Sequence, residues 1–452
     1  MIKNKTYHPA SYKDNCARII TINNDIYREI YPLYYPHYEK LINSGLYEKL
    51  TNKGILVRHE EIKTNSNKLI KPQPVFISYP YEWSFSQLKD AALLTLKIMN
   101  IALEYEMILK DATPYNIQFD NGKPIFIDTT SFEEYKENKT WVAYNQFVRN
   151  FICPLAIMSY TDIRLNTLLK NYKEGLDLDL TSKLLPFKTY FNYHIFLHIH
   201  MHSKIYDNYS TKYKQININY SKQQLKSLLF SLEQCIKNLK LKKQTTQWDN
   251  YYQNTNYTND SFAEKINIIK NFEEQIEYKT VVDLGANNGL FSRLFAKKAN
   301  RILCTDIDAN AVEENYIITK NNKETNIIPL VFDILNPTPS IGWNNEERSS
   351  LFERIKNSDV IMALAFLHHV VIGGNVPLQN IARLLNSMGK YLIIEFIEKE
   401  DSQVKKLLCN RVDIFNDYSK ENFEKIFSAH FVILQQKQIK NTHRTLYLMK
   451  RK

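Results

Sequence analysis

From about residue 278 onward, apolar residues fall into short runs of strand length: Thr280–Leu284, Ile302–Thr305, Ile327–Phe332, Val360–Ala365 and Tyr391–Phe396. Longer segments with helix-compatible spacing separate them, and this alternation predicts a parallel sheet covered by helices on both faces. Two further runs, Phe431–Gln435 and Thr445–Met449, are joined by a short polar connection, QKQIKNTHR, and predict an antiparallel hairpin.

The first half has a different rhythm. Residues 1–60 contain strands, with ARIITINNDIYREI predicting a hairpin that turns at Asn23–Asn24–Asp25. Residues 85–107 predict one long helix, and 140–242 a mostly helical region. The polar stretch KKQTTQWDNYYQNTNYTND, at 242–260, separates the two patterns. A chain of 452 residues exceeds the usual size of a single core. The expected domains are therefore 1–245, with a small lobe to about 80 and a helical lobe beyond it, and 246–452.

Composition narrows the function classes. Hydrophobic residues make up 44% of the chain, enough for packed cores. The net charge of +11 comes from 59 Lys and Arg scattered among 48 Asp and Glu, so it does not form the concentrated stripe of a nucleic-acid binder. The five cysteines are odd in number and far apart, with no CxxC pair, which argues against a structural zinc and for a reducing compartment. There is no apolar leader and no apolar stretch of membrane-spanning length, so the expected location is the cytoplasm.

Only ten glycines are present, and two of them fall in VVDLGANNGLFSRLF, Val281 to Phe295. An apolar strand here meets Asp283, then Gly285, Asn287 and Gly289, and a helix-like pattern opens. Gly285 permits a tight turn, and Gly289 a close approach of the next segment. The following strand ends at Asp306, placed to accept both ribose hydroxyls of an adenosine group, and the third ends at Asp333, where side chain or backbone can read the adenine amino group. A pyrophosphate-binding loop needs G-x-G-x-x-G, whereas here Asn287 stands at the middle glycine. Asp283 would repel a pyrophosphate but suits an amino-acid ammonium. The stretch resembles motif I of class I S-adenosylmethionine (SAM)-dependent methyltransferases, and the strand pattern resembles their seven-stranded Rossmann-like fold. The resemblance implies SAM as cofactor through Asp283, Gly285, Asn287, Gly289, Asp306 and Asp333.

Methyl transfer requires an aligned nucleophile and often a base. His368 and His369, in LAFLHHVVIGGN after the fourth strand, are candidate proton acceptors. Glu395, ending the fifth strand, would contact substrate or hold a histidine in one tautomer; the alternative for these groups is packing. The Asn-Pro-Pro-Tyr and Asp-Pro-Pro-Tyr signatures of amino-methyltransferases are absent, which favours an oxygen nucleophile on a small molecule or glycan. Trp248, Tyr251, Tyr252 and Tyr257 are candidates to cover the cofactor or to anchor domain packing.

A second constellation lies in ILKDATPYNIQFDNGKPIFIDTTSFEEY, where Asp111 and Asn116 are five apart, a hairpin turns at Asn121–Gly122, and Asp128 ends its second strand. This resembles the catalytic and metal-binding loops of the protein-kinase and aminoglycoside-phosphotransferase superfamily. The resemblance implies an α+β kinase-like domain in which Asp111 is the phosphotransfer base, Asn116 and Asp128 are magnesium ligands, and Mg-ATP is a second cofactor. Leu109-Lys110 and Thr129-Thr130 depart from the pattern, residues 1–44 hold no glycine for a phosphate loop, and Arg28 is the only approximation to the strand lysine. His194, His198 and His202 have helical i, i+4 spacing and would make a metal face.

The order of the two halves, with ISYPYEWSFSQLKDAALLTL, KDATPYNIQF, PLAIMSYTDIRL, DLGANNG and RVDIFNDY, resembles bacterial two-domain methyltransferases related to rhizobial nodulation proteins. That resemblance implies methylation of a small molecule or glycan, with the kinase-like half binding substrate or regulating. A bifunctional kinase-methyltransferase and a non-catalytic SAM-binding regulator are the other two readings.

Overall fold

The computed structural model describes residues 5–23, 25–62, 67–204, 220–241, 258–409 and 411–452. Contacts divide the chain into two compact units, Met1–Lys243 with Ser340–Ser349, and Gln244–Pro339 with Ser350–Lys452. The boundary expected near residue 245, and Trp248, Tyr251, Tyr252 and Tyr257, lie outside the described residues.

The first unit opens with a five-stranded antiparallel sheet in the order β1-β2-β3-β5-β4. Its strands are β1 (Lys5–Tyr7), β2 (Ala17–Ile22), β3 (Asp25–Ile30), β4 (His59–Ile62) and β5 (Lys68–Pro72). The predicted hairpin is β2–β3, paired from Ala17↔Ile30 to Ile22↔Asp25, and its turn begins with Asn23 at φ +51°, a conformation that asparagine tolerates better than most residues. A helix, Tyr35–Asn43, follows β3 and lays Tyr38 against Ile30 and Ile70 of the sheet.

The predicted long helix spans Phe85–Glu104; Ser84 and Gln87 cap its N-terminus reciprocally, and most of its apolar residues, from Phe85 and Leu88 to Ala102 and Leu103, are buried. Two small ladders follow: β6 (Met107–Leu109) with β9 (Phe132–Glu134), and β7 (Ile117–Asp120) with β8 (Lys123–Phe126). The β7–β8 turn has Asn121 at φ +49° and Gly122 at φ +70°, the paired left-handed residues of a tight hairpin. These ladders bring the loops carrying Asp111 and Asp128 together.

The second unit is built on a seven-stranded sheet in the order β12-β11-β10-β13-β14-β16-β15. Its strands are β10 (Thr280–Leu284), β11 (Arg301–Asp306), β12 (Ile327–Val331), β13 (Ser358–Ala363), β14 (Gly389–Ile397), β15 (Phe431–Gln438) and β16 (Arg444–Arg451). The first five are parallel, while β16 runs antiparallel to both β14 and β15, as the terminal runs predicted. The order reverses between β10 and β13, so the carboxyl ends of these two strands diverge and leave a crevice. The apolar faces of β10, β11 and β13 pack with Ile269 and Phe272 of the helix Asn259–Glu274.

One local expectation fails. The segment after Gly289 forms only a short 3-10 turn, Ser292–Phe295, among the residues before β11. Arg293 explains the compact turn: its guanidinium donates to Asn288 O, Asn315 Oδ1, Thr319 Oγ1 and Glu324, drawing the segment onto the following elements.

Candidate functional site

The crevice at the ends of β10, β11, β12 and β13 forms a cavity lined by Asp283, Gly285, Asn287, Asp306, Asp333 and His369, among others. The β10–β11 register aligns Leu284 with Thr305, and Thr305 O accepts the amides of both Gly285 and Ala286. The loop is thereby pinned to β11 while its left-handed residues, Gly285 at φ +73° and Asn287 at φ +50°, turn the chain across the cavity.

Asp306 sits at the rim. Its Oδ2 accepts the Asn287 amide at 2.8 Å and its Oδ1 the Asp308 amide at 2.9 Å, so its orientation is fixed while each oxygen keeps further acceptor capacity. Burial raises its pKa to about 6. Asp333 is oriented by the Leu335 amide at 2.9 Å.

Asp283 is 2% exposed. Its Oδ2 accepts the Ser292 hydroxyl at 2.6 Å, while its Oδ1 is buried with no hydrogen-bond partner among the described residues. Burial, opposed by that hydroxyl, pushes its pKa up to about 7. A buried carboxylate oxygen without a donor is costly, and an ammonium entering the cavity would supply one. The residues present therefore fit SAM: a donor-hungry carboxylate for the ammonium, an oriented carboxylate for the ribose, and a third at the adenine end.

Gly289 does not join them. It is absent from the lining, and at φ +79° a Cβ there would stand 2.5 Å from Arg293 Nη1 and 2.6 Å from Asn315 Nδ2. Its requirement is packing. The histidines also separate: His369 lines the cavity, whereas His368 is 1% exposed beneath it, with Nδ1 buried and without a partner among the described residues. Burial, reinforced by the nearby positive charge of Arg444, lowers the His369 pKa to about 4, so its ring is neutral at physiological pH. Glu395 is fully buried and outside the lining; its Oε2 accepts Lys265 Nζ at 2.7 Å and the Ala365 amide at 2.8 Å. Its oxygens face Lys265, the Ala365 amide and Arg444.

In the first unit, Asp111, Asn116 and Asp128 do converge. Asp111 is held by hydrogen bonds from Asn116, the Thr113 amide and Gln146, and burial together with the charge of Asp128 raises its pKa. Asp128 Oδ1 accepts the Thr130 amide at 2.9 Å and hydroxyl at 2.7 Å and pairs with Arg28 of β3; its Oδ2 accepts the Ser131 hydroxyl at 2.6 Å. Asn116 Nδ2 donates to the same Ser131 hydroxyl at 3.1 Å. Magnesium demands near-octahedral oxygen ligands. Here the ionised carboxylate is already neutralised by a guanidinium, and the arrangement does not fit the ion.

The three spaced histidines form no metal face. The helix changes to wider π turns at Phe196–Met201, and His198 is committed to Tyr144 OH at 2.9 Å and Ser231 Oγ at 3.0 Å. No metal-competent cluster of three His, Cys, Asp or Glu occurs among the described residues.

No family model matches the chain. Over 384 residues it is 33% identical to the nodulation protein NoeA of Rhizobium meliloti (strain 1021), a match that covers 83% of this chain and 80% of that protein. The chain belongs to the NoeA family. Among solved structures it is similar to the N-methyltransferase NodS from Bradyrhizobium japonicum WM9, with a TM-score of 0.31 and 12% identity over 43% of this chain and 97% of NodS. A magnesium protoporphyrin IX methyltransferase (ChlM) from Synechocystis PCC 6803 with bound SAM gives a TM-score of 0.31 and 14% identity over 45% of this chain and 89% of ChlM. WbdD gives 0.32 and 16% over 45% and 42%.

In this NoeA-family chain one residue of the cavity and one behind it escaped sequence reasoning. Lys265, which lines the cavity at 2% exposure, comes from the helix preceding β10, where no motif marks it; its only signal is a lysine on the buried face of an amphipathic pattern. Arg444 begins β16 and is buried against Asp401 at 2.8 Å and Glu395 at 3.8 Å.

Proposed function

We propose that this NoeA-family chain is a SAM-dependent methyltransferase that methylates a hydroxyl of a small molecule or glycan. The observation that carries the cofactor reading is Asp283 Oδ1, a buried acceptor with no donor among the described residues, in a cavity that also holds Asp306. SAM, when bound, supplies an electrophilic methyl group on a sulfonium.

This chain's own residues do the rest. Asp283 takes the ammonium, Asp306 the ribose hydroxyls, and Asp333 with its adjoining backbone the adenine edge. Gly285 lets the loop approach the ligand. His369, neutral because burial disfavours its charged form, accepts the proton that the attacking hydroxyl loses. The preference for oxygen over nitrogen rests on the absence of a Pro-Pro-Tyr loop after β13, where Ala363-Leu-Ala-Phe stands.

The first unit is proposed as a kinase-like recognition domain. Its five-stranded sheet with a helix after β3, its paired loops and the Arg28–Asp128 contact support that reading. Phosphotransfer is not part of it, because the Asp128 oxygens are engaged by Arg28, Thr130 and Ser131.

Calorimetric titration with SAM and S-adenosylhomocysteine tests the proposal. The wild type should bind both and Asp306→Ala should lose most of the affinity; a wild type that binds neither would end the cofactor reading. Turnover to S-adenosylhomocysteine with a hydroxylated acceptor separates an enzyme from a sensor.

A further inference from the structure

The polar end of the cavity holds a cation as well as a carboxylate. Lys265 reaches it from the helix Asn259–Glu274, with its ammonium 4.8 Å from the centroid of Phe291, another lining residue. We infer that Lys265 binds the α-carboxylate of the cofactor's methionine moiety, so that the amino-acid end is held at two points, Lys265 and Asp283. This rests on the SAM reading above and adds a residue that no motif identifies.

Three observations support it. First, a lysine is almost never this buried unless paired; Glu395 supplies a partner at 2.7 Å, yet the side chain still lines the cavity. Second, Glu395 is itself shared, because Arg444 approaches its other oxygen at 3.8 Å and the Ala365 amide donates to Oε2 at 2.8 Å. Lys265 and Arg444 face Glu395 and Asp401, a balanced set of two cations and two anions. Third, Asp283, which lines the same cavity, has its Oδ1 buried with no donor among the described residues, and it is close enough to interact electrostatically with Lys265. A cation beside an unsatisfied carboxylate complements a zwitterion, whereas a neutral ligand would leave the buried charges as costly as before. Glu395 is thus a positioning residue that holds the Lys265 ammonium beside the end of β13.

The test uses the full chain and three ligands: S-adenosylhomocysteine, its decarboxylated analogue, and 5′-methylthioadenosine, which lacks the amino-acid end. In the wild type, removing the carboxylate should weaken binding roughly 10- to 100-fold, the usual worth of a charge-assisted hydrogen bond. Lys265→Met should lose that discrimination while binding methylthioadenosine as the wild type does, and Lys265→Arg, which keeps the charge, should retain part of it. If Lys265→Met does not fold, the wild-type and Lys265→Arg titrations carry the test. Equal wild-type affinity for the carboxylated and decarboxylated ligands overturns the inference alone, as does a Lys265→Met variant that keeps the discrimination. A wild type that binds none of the three overturns the cofactor reading as well.

Discussion

The separation of Gly285 from Gly289 gives the sharpest test of which glycine serves the ligand. In Gly289→Ala the new Cβ meets two penalties. The backbone sits at φ +79°, where a residue with a Cβ pays about 1–2 kcal/mol. The methyl would also stand 2.5–2.7 Å from Arg293 Nη1 and the Asn315 amide atoms, and overpacking of this kind costs about 1–3 kcal/mol. Arg293 cannot swing aside cheaply, because it bonds Asn288 O, Asn315, Thr319 and Glu324. The sum is roughly 2–5 kcal/mol of lost stability. In urea denaturation followed by circular dichroism, Gly289→Ala should unfold at markedly lower denaturant, while the SAM affinity of the folded fraction stays close to wild type. Gly285→Ala carries the same backbone penalty of about 1–2 kcal/mol, at φ +73°, but its Cβ lies 3.2 Å from Phe366 Cδ2, a contact that a ring can relieve, so it should lose less stability than Gly289→Ala, while the loop it distorts lines the cavity and SAM affinity should fall. Full stability in Gly289→Ala, or a loss of affinity without a loss of stability, would refute this assignment.

Three further outcomes follow from the same geometry. His369→Asn should slow methyl transfer and leave SAM affinity near wild type; kcat/KM for SAM should fall as Asp283 (about 7) and Asp306 (about 6) take up protons, whereas kcat at saturating SAM, where the bound cofactor keeps both carboxylates ionised, should hold down to pH values approaching 4, since His369 is held near 4, and a kcat limb at 6.5 would contradict this. Asp283 has a folded pKa of about 7 against an ordinary 3.8, so the ligand-free fold binds its proton more tightly than the unfolded chain. Its contribution is therefore fully present below about pH 4 and declines as pH rises through 7, by an amount on the order of a few kcal/mol. Asp283→Asn should flatten that part of the pH–stability curve measured by thermal unfolding, and should also weaken SAM binding. Arg28→Met should destabilise the protein by roughly 3 kcal/mol, the lower end for a broken buried pair because both partners keep some exposure, and Mg-ATP should leave the wild-type unfolding temperature unmoved; an upward shift with Mg-ATP would refute the recognition-domain reading.

The sheet of the second unit was legible because a parallel strand buried on both faces must be a continuous apolar run, and β10 to β14 are such runs. The hairpins were legible where asparagine and glycine supply left-handed turns, at Asn23 and at Asn121–Gly122. What the pattern could not reveal was the turn after Gly289. Phe291, Leu294 and Phe295 have helical spacing, yet the bonds of Arg293 to residues 22 to 31 positions later decide the local shape. Spacing along a chain carries no information about such partners.

The site divided along the same line. Asp283, Gly285, Asn287, Asp306 and Asp333 each sit at or just beyond the carboxyl end of a strand, so predicting the strand placed the residue at the cavity. Position along a strand left packing and catalysis both open for the residues behind that edge, because their partners are set by charge balance rather than by position. Glu395 lies near the carboxyl end of β14, two residues before Ile397, where a catalytic carboxylate is expected, but Lys265, 130 residues earlier, and Arg444, 49 residues later, claim it. His368 and His369 are adjacent and chemically identical, and one residue of helical rotation puts one ring in the cavity and the other beneath it. A buried charge is tolerated only with a partner, so when a sequence offers a buried-face lysine such as Lys265 upstream of a strand-end carboxylate such as Glu395, each limits the role of the other. By that reasoning Glu395→Gln should harm the protein through the stranded Lys265, Arg444 keeping Asp401, and should lower its unfolding temperature. A variant that kept wild-type stability and lost only turnover would return Glu395 to the catalytic role its strand position first suggested.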